Sequence, residues 1–150
     1  MQLGDAELRA EDIIEATDYV CPSLEILDTS IFRQNPQSST APSALDNISN
    51  NAASAGVALG SEKHKVTSHH LRWNSAIVSR NEEVEETDLS AGVLNDPVIS
   101  VFWLARRMAR YGQKIKLGQI VLSKSFIHCI QCPTGSHIRA NFGSFSQVAI

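Results

Sequence analysis

The chain has 150 residues, 43% of them hydrophobic, with 13 basic and 16 acidic side chains and a formal net charge of -3. That length suits one domain over residues 1–150 with a real core. The mild negative charge argues against a nucleic-acid footprint, and no apolar run reaches the roughly 20 residues of a membrane span, so neither nucleic acid nor membrane is an expected partner. Met1-Gln2-Leu3-Gly4-Asp5-Ala6-Glu7 is polar and acidic, unlike a signal peptide. Three cysteines without framework spacing suit a reducing cytosol, so a cytoplasmic protein is expected.

Residues 10–19 read as a helix, with Ile13, Ile14, Ala16 and Thr17 at helical spacing. Pro22 breaks that pattern, and residues 23–28 read as a strand. Residues 33–45 are rich in Gln, Asn, Ser and Pro and predict a surface loop or a lid over a site. Residues 47–55 suggest a turn or short helix, and residues 56–60 a short apolar strand. Over residues 71–80, Arg72, Asn74, Ala76 and Val78 alternate with Trp73, Ser75 and Ile77, which predicts a strand. Asn81-Glu82-Glu83 would turn it into a second strand over 84–87, as a hairpin. Asp96 as N-cap and Pro97 at the first position open the best helix. Val98, Val101, Phe102, Ala105, Met108 and Ala109 form its apolar stripe, and Gly112 ends it. Residues 120–122, 126–130 and 137–142 are short strand candidates. A strand-rich chain with one strong helix predicts a sheet core covered by helix, of the α+β class.

Glu25 stands out because it lies between Leu24 and Ile26-Leu27. A carboxylate buried in such a strand needs a cationic complement: an Arg, a Lys or a metal ion. The residues alone leave a ligand role and a buried ion pair both open. A ligand carboxylate would select a hard ion such as Mg²⁺ or Mn²⁺.

Other clusters have plainer readings. Cys129-Ile130-Gln131-Cys132 has the spacing of half a zinc site or a redox pair, with His128 and His137 nearby, but it lacks a second ligand pair and a strand-to-helix setting. It is read as a chance spacing. His69-His70, near His64, is read as a solvated loop, because adjacent side chains on an extended chain point apart. Arg106, Arg107 and Arg110 are read as the solvated face of the helix, and Glu82, Glu83, Glu85 and Glu86 as a polar hairpin tip.

Several segments together resemble the fumarylacetoacetate hydrolase superfamily, in the branch of the 2-oxohept-3-ene-1,7-dioate and 2-keto-4-pentenoate hydratases. They are Ala16-Thr17-Asp18-Tyr19-Val20, Pro22-Ser23-Leu24-Glu25-Ile26-Leu27-Asp28, Asn50-Asn51-Ala52-Ala53-Ser54-Ala55-Gly56-Val57, Leu71-Arg72-Trp73 and Ala91-Gly92-Val93-Leu94-Asn95. Trp103-Leu104-Ala105, Gly118-Gln119-Ile120-Val121-Leu122 and Ser125-Phe126 continue the similarity in order. The resemblance implies mixed β-sheets rolled into a sandwich or barrel, with helices outside. It implies Mg²⁺ or Mn²⁺ held by three carboxylates, two from a Glu-x-Glu strand and one at the position of Glu25. It also implies substrate contacts at Asn51 and Ser125; the general acid or base is not assigned. The metal would chelate a 2-oxo acid and, as a Lewis acid, stabilise the dienolate to which water adds.

The chain departs from the family in places. It starts after the Glu-x-Glu strand, and Glu7 and Glu11 do not match that motif, so the N-terminal part of the fold is expected to be missing. Asn50 replaces an Asp, Lys124 and Glu82 each replace a Gly, and Gly135-Ser136 replaces Gly-Asp. The expected function is a metal-dependent hydratase of 2-oxo-alkenoates from aromatic catabolism, or a related decarboxylase or C–C hydrolase. The alternative is an inactive fragment or partner subunit. A homo-oligomer or a full-length homologue is the expected partner, one that would complete the sheet.

Overall fold

A computed structural model describes residues 8–32, 34–90, 96–123, 125 and 127–150. Readings that touch Met1 to Glu7, Arg33, the block from Ala91 to Asn95, Lys124 or Phe126 lie outside the described residues.

The elements in chain order are α1 (Ala10–Ala16), β1 (Ser23–Leu27), α2 (Ala44–Ser49), β2 (Ser54–Leu59), β3 (Ser75–Arg80), β4 (Glu83–Leu89), α3 (Pro97–Ala109), β5 (Ile138–Asn141) and β6 (Gln147–Ala149). The expected mixture of helix and sheet is present, and every strand pairing is antiparallel. Four strands form one sheet in the order β4-β3-β5-β6, and β1 pairs with β2 in a separate ribbon.

The period of two along β3 sets the main core. Val78 lies opposite Ala140 of β5, which lies opposite Val148 of β6. This row and Ile138 are buried, and Leu24 of β1 and Ala58 of β2 pack onto it. Leu24 and Ala58 are themselves cross-strand partners, so one face of the ribbon rests on the sheet. A second cluster joins the helices: Ile13 of α1 meets Ala105 of α3, with Val98, Val101 and Phe102 around them.

The α3 helix follows its sequence closely. The Asp96 carboxylate accepts from the Val98 N–H at 2.8 Å, Pro97 opens the helix, and Gly112 follows it at φ 66°. Arg106 and Arg107 are exposed, over the rings of Phe102 and Tyr111. The α1 helix is shorter than its pattern suggests, because Thr17 is extended and caps it. Residues 34–42 are loop, and Ser43 caps α2 reciprocally with Asp46. Hydrogen bonds from the Ser43 hydroxyl and amide hold the Asp46 carboxyl below its usual range.

Three readings are corrected. Leu71–Trp73 is a 3₁₀ turn, and the strand starts only at Ser75; the turn is set by the bond from Trp73 N–H to His70 O, at 2.8 Å. Residues 120–122 are not a strand, and the described part of 126–130 has no regular structure; apolar runs this short do not choose a partner by themselves. β6, which the sequence pattern did not indicate, completes the sheet edge.

The β3–β4 turn takes the expected hairpin form, with Asn81 at φ 50° and Glu82 at φ 71°. Asn tolerates this region, whereas Glu there is strained. Glu82→Gly is expected to stabilise the fold by about 0.5–1 kcal/mol, because Asn-Gly suits this turn and the exposed 3.5 Å contact with Arg139 is worth little. A thermal melt checks this; a lower melting temperature would refute it.

Candidate functional site

β1 presents Glu25 at its midpoint, in register with Val57 of β2. Leu24 turns inward to the core, so alternation places Glu25 on the other face. The Glu25 side chain is exposed and makes no hydrogen bond or ion pair among the described residues. The buried carboxylate expected from its apolar neighbours is therefore corrected: Leu24, Ile26 and Leu27 do not enclose it, because Ile26 and Leu27 are themselves exposed.

Asn51 lies where the ribbon begins. It opens a 3₁₀ turn, and Asn51, Ala52 and Ala53 all have positive φ, at 51°, 53° and 64°. Each such residue costs roughly 1–2 kcal/mol in a left-handed conformation, least for Asn. The Asn51 side chain donates to Ser54 O at 3.0 Å, and Asp28 N–H donates to Ala53 O at 2.9 Å, tying the turn to the end of β1. Asn50 adds a clasp, donating to the Thr29 hydroxyl at 2.6 Å and accepting from Ser30. Backbone strain of this kind collects at functional sites.

Ser125 is exposed, and its hydroxyl donates to Ile127 O at 2.8 Å. Glu25 and Ser125 line the same open groove of about 2140 Å³, and Asn51 does not. No hydrogen bond joins the three residues among those described. The groove runs past Cys21, whose thiol burial pushes above its usual pKa while nearby Lys63 pulls the other way. None of the described residues between 29 and 58 lines it, so the described part of the loop expected over 33–45 is not its lid.

Among the described residues, no group of three or more His, Cys, Asp or Glu side chains converges as a metal site. Cys129 and Cys132 are exposed free thiols. The histidine reading is corrected at two positions. His64 stacks on Phe145 with centroids 4.5 Å apart, and His69 meets His64 edge-on at 4.7 Å. His64 Nε2 is buried without a hydrogen-bond partner. The reason is a backbone bridge: Val20 and His64 exchange hydrogen bonds of 2.8 and 2.9 Å, which draws His64 inward. Only a long-range pairing reveals this, so the local sequence gave no signal. No helix among the described residues is long and apolar enough to cross a membrane.

No protein-family profile matches the chain. It is 38% identical to 2-oxo-hept-4-ene-1,7-dioate hydratase of Escherichia coli, over 92% of this chain and 52% of that one. It is 32% identical to 2-keto-4-pentenoate hydratase of Paraburkholderia xenovorans, over 75% of this chain and 40% of that one. A solved structure of 4-oxalocrotonate decarboxylase from Pseudomonas putida G7, complexed with magnesium and adipate, superposes with a TM-score of 0.84 at 25% identity, covering 99% of this chain and 54% of that one. The chain thus spans about half the length of the relatives it matches. On this similarity the chain resembles the hydratases of the fumarylacetoacetate hydrolase superfamily over about half their length.

Proposed function

We propose that this chain forms part of a hydro-lyase that adds water to a 2-oxo-alkenoate, the dienol form of a product of aromatic catabolism, in the cytoplasm. The observation that carries the reading is the 38% identity to a hydratase across nearly the whole chain. The two antiparallel sheets are read as part of the sandwich or roll of this superfamily. The structural likeness to a decarboxylase supports a second reading, decarboxylation or C–C cleavage of a similar 2-oxo acid.

Glu25 is assigned one ligand position on a divalent ion, Mg²⁺ or Mn²⁺. Its exposure on the groove suits a hard oxygen ligand. One carboxylate is not a site, so the described residues do not by themselves fit the ion, and its other ligands have to come from elsewhere. Asn51 and Ser125 are assigned to the substrate. With one amide hydrogen used on Ser54, Asn51 retains its carbonyl and a second N–H for a ligand. To donate to a substrate carboxylate, Ser125 has to release Ile127 O, exchanging a neutral hydrogen bond for a charge-assisted one. A second copy or a full-length homologue is the assigned partner.

The test is Mg²⁺- or Mn²⁺-dependent loss of 2-hydroxydienoate absorbance, with and without the full-length E. coli relative made inactive. Turnover in either mixture supports the hydratase reading. A folded chain that gives none in both, or that releases CO₂ instead, removes it.

A further inference from the structure

We propose that His128, held by Glu86, is the group that exchanges protons with the substrate in the groove. The inference rests on the hydratase reading and supplies its unassigned acid and base. His128 Nδ1 lies 3.2 Å from Glu86 Oε2, a contact between residues 42 positions apart in the sequence. His128 lines the groove that Glu25 and Ser125 also line, and Glu86 does not. The carboxylate thus meets the imidazole from outside the groove.

Both partners are placed by the fold. Ile127 and Ile130 pack against the main core, and His128 and Cys129 between them are exposed. Glu86 lies opposite Val78 in the β3–β4 register, and directly opposite residues share a face. Its side chain therefore leaves the inner face of the sheet, where Val78 is buried. The nearby cations are committed to other carboxylates, Arg80 to Glu85 and Arg139 to Glu82. Arg80 also donates to Gln131 O at 3.2 Å, tying the His128 loop to the hairpin. Among the described residues, His128 is the cationic partner left for Glu86.

The pair fixes which nitrogen does the chemistry. An ionised carboxylate only accepts, so Nδ1 is the donor and Nε2 keeps its lone pair. Nε2 has no partner among the described residues. An ion pair whose histidine is 89% exposed adds little to stability, so holding the fold does not account for it. Orienting one histidine nitrogen is what an acid–base catalyst requires. Ser125, assigned to the substrate, is three residues away. Three residues span at most about 11 Å when extended, and the Ser125–Ile127 hydrogen bonds and the bend at Ile127 shorten that span. An acid whose carboxylate meets Ser125 has its alkene within reach of the His128 side chain.

Each proton has a place to go. In a 2-oxo-alkenoate whose double bond is conjugated to the ketone, the water oxygen bonds to C4 and one of its protons passes to His128 Nε2. The C3=C4 π pair shifts, and the C2=O pair moves onto the 2-oxo oxygen, leaving an enolate. The imidazolium returns the proton to C3 as the enolate reverts to the ketone. One water has been added, and His128 ends as it began. Glu86 faces the imidazolium while the ring carries charge.

The experiment compares the parent, His128→Gln and Glu86→Gln chains, each mixed with the inactive full-length relative, across a range of pH. His128→Gln is expected to lower kcat at least about 100-fold, with KM changed by less than about threefold and an unchanged urea midpoint. Glu86→Gln should lower kcat about 10–100-fold. It should also move the acid limb of the kcat profile to lower pH, because the imidazolium loses its counter-charge. Nitrogen-15 spectra of the histidine-labelled chain read the ring without turnover. The neutral His128 ring is expected to carry its proton on Nδ1, and its signal to move on addition of 2-oxoadipate. Equal kcat in the parent and His128→Gln, or a neutral ring protonated on Nε2, overturns the proposal and leaves the hydratase reading standing. No turnover by the parent mixture removes the hydratase reading. A His128 signal moved by 2-oxoadipate then keeps this residue as the group that meets a 2-oxo acid, and an unmoved signal overturns that as well.

Discussion

Glu25→Ala is expected to leave the chain as stable as the parent, within about 0.5 kcal/mol, and, on the proposed ligand role, to remove the metal response of the chain with its assigned partner. The two halves of this result come from different observations. Stability is untouched because the side chain is exposed and has no partner among the described residues. The metal response is lost because losing a residue that only supports a ligand already costs 10–100-fold in affinity or activity, so losing the ligand itself should cost at least about 100-fold. Mn²⁺ binding by the chain with its assigned partner, followed by electron paramagnetic resonance, beside a urea titration of the chain, reads both. Unchanged Mn²⁺ affinity in the variant, or retained metal-stimulated turnover, would sink the ligand assignment. A loss of several kcal/mol in stability would instead show that Glu25 is held by a structural partner.

Val78→Asp is expected to unfold the chain. Val78 is 1% exposed in a strand flanked on both sides, by Glu86 on β4 and by Ala140 on β5. A carboxylate there meets the buried Ile138, Ala140 and Val148, and an unpaired buried charge costs several kcal/mol against a typical total stability of about 5–15 kcal/mol. Ile77→Asp is the control, one residue earlier but on the outer face and 47% exposed. It should cost only about 1 kcal/mol, the span of strand propensity. Circular dichroism and urea midpoints separate the two; equal loss in both variants would contradict the assigned faces of β3.

Much of the fold was legible locally. The α3 helix carries its own cap, its proline and its stripe, so Asp96, Pro97 and Gly112 mark its ends without help from the rest of the chain. The alternation of Ala76 and Val78 with Ile77 correctly divided β3 into faces, and Asn81-Glu82 marked the hairpin. The short apolar runs were not legible in this way: the run read over Gly56 to Gly60 became part of β2 as far as Leu59, and Ile120 to Leu122 did not become a strand. Only the presence of a pairing partner separates the two.

The candidate site divides along the same line. The sequence by itself determined the resemblance to the superfamily and the candidate positions Glu25, Asn51 and Ser125, because residue identity at matched positions survives without any coordinates. It could not determine whether Glu25 was buried, since burial depends on which face of the ribbon meets the sheet, and Leu24 takes the inward face. Nor could it show the left-handed turn at Asn51, whose Ala52 and Ala53 have no local reason for positive φ. The tertiary structure alone decided that Glu25 and Ser125 face one groove while Asn51 stands outside it, because that placement depends on long-range strand pairing and core packing rather than on neighbours in the chain.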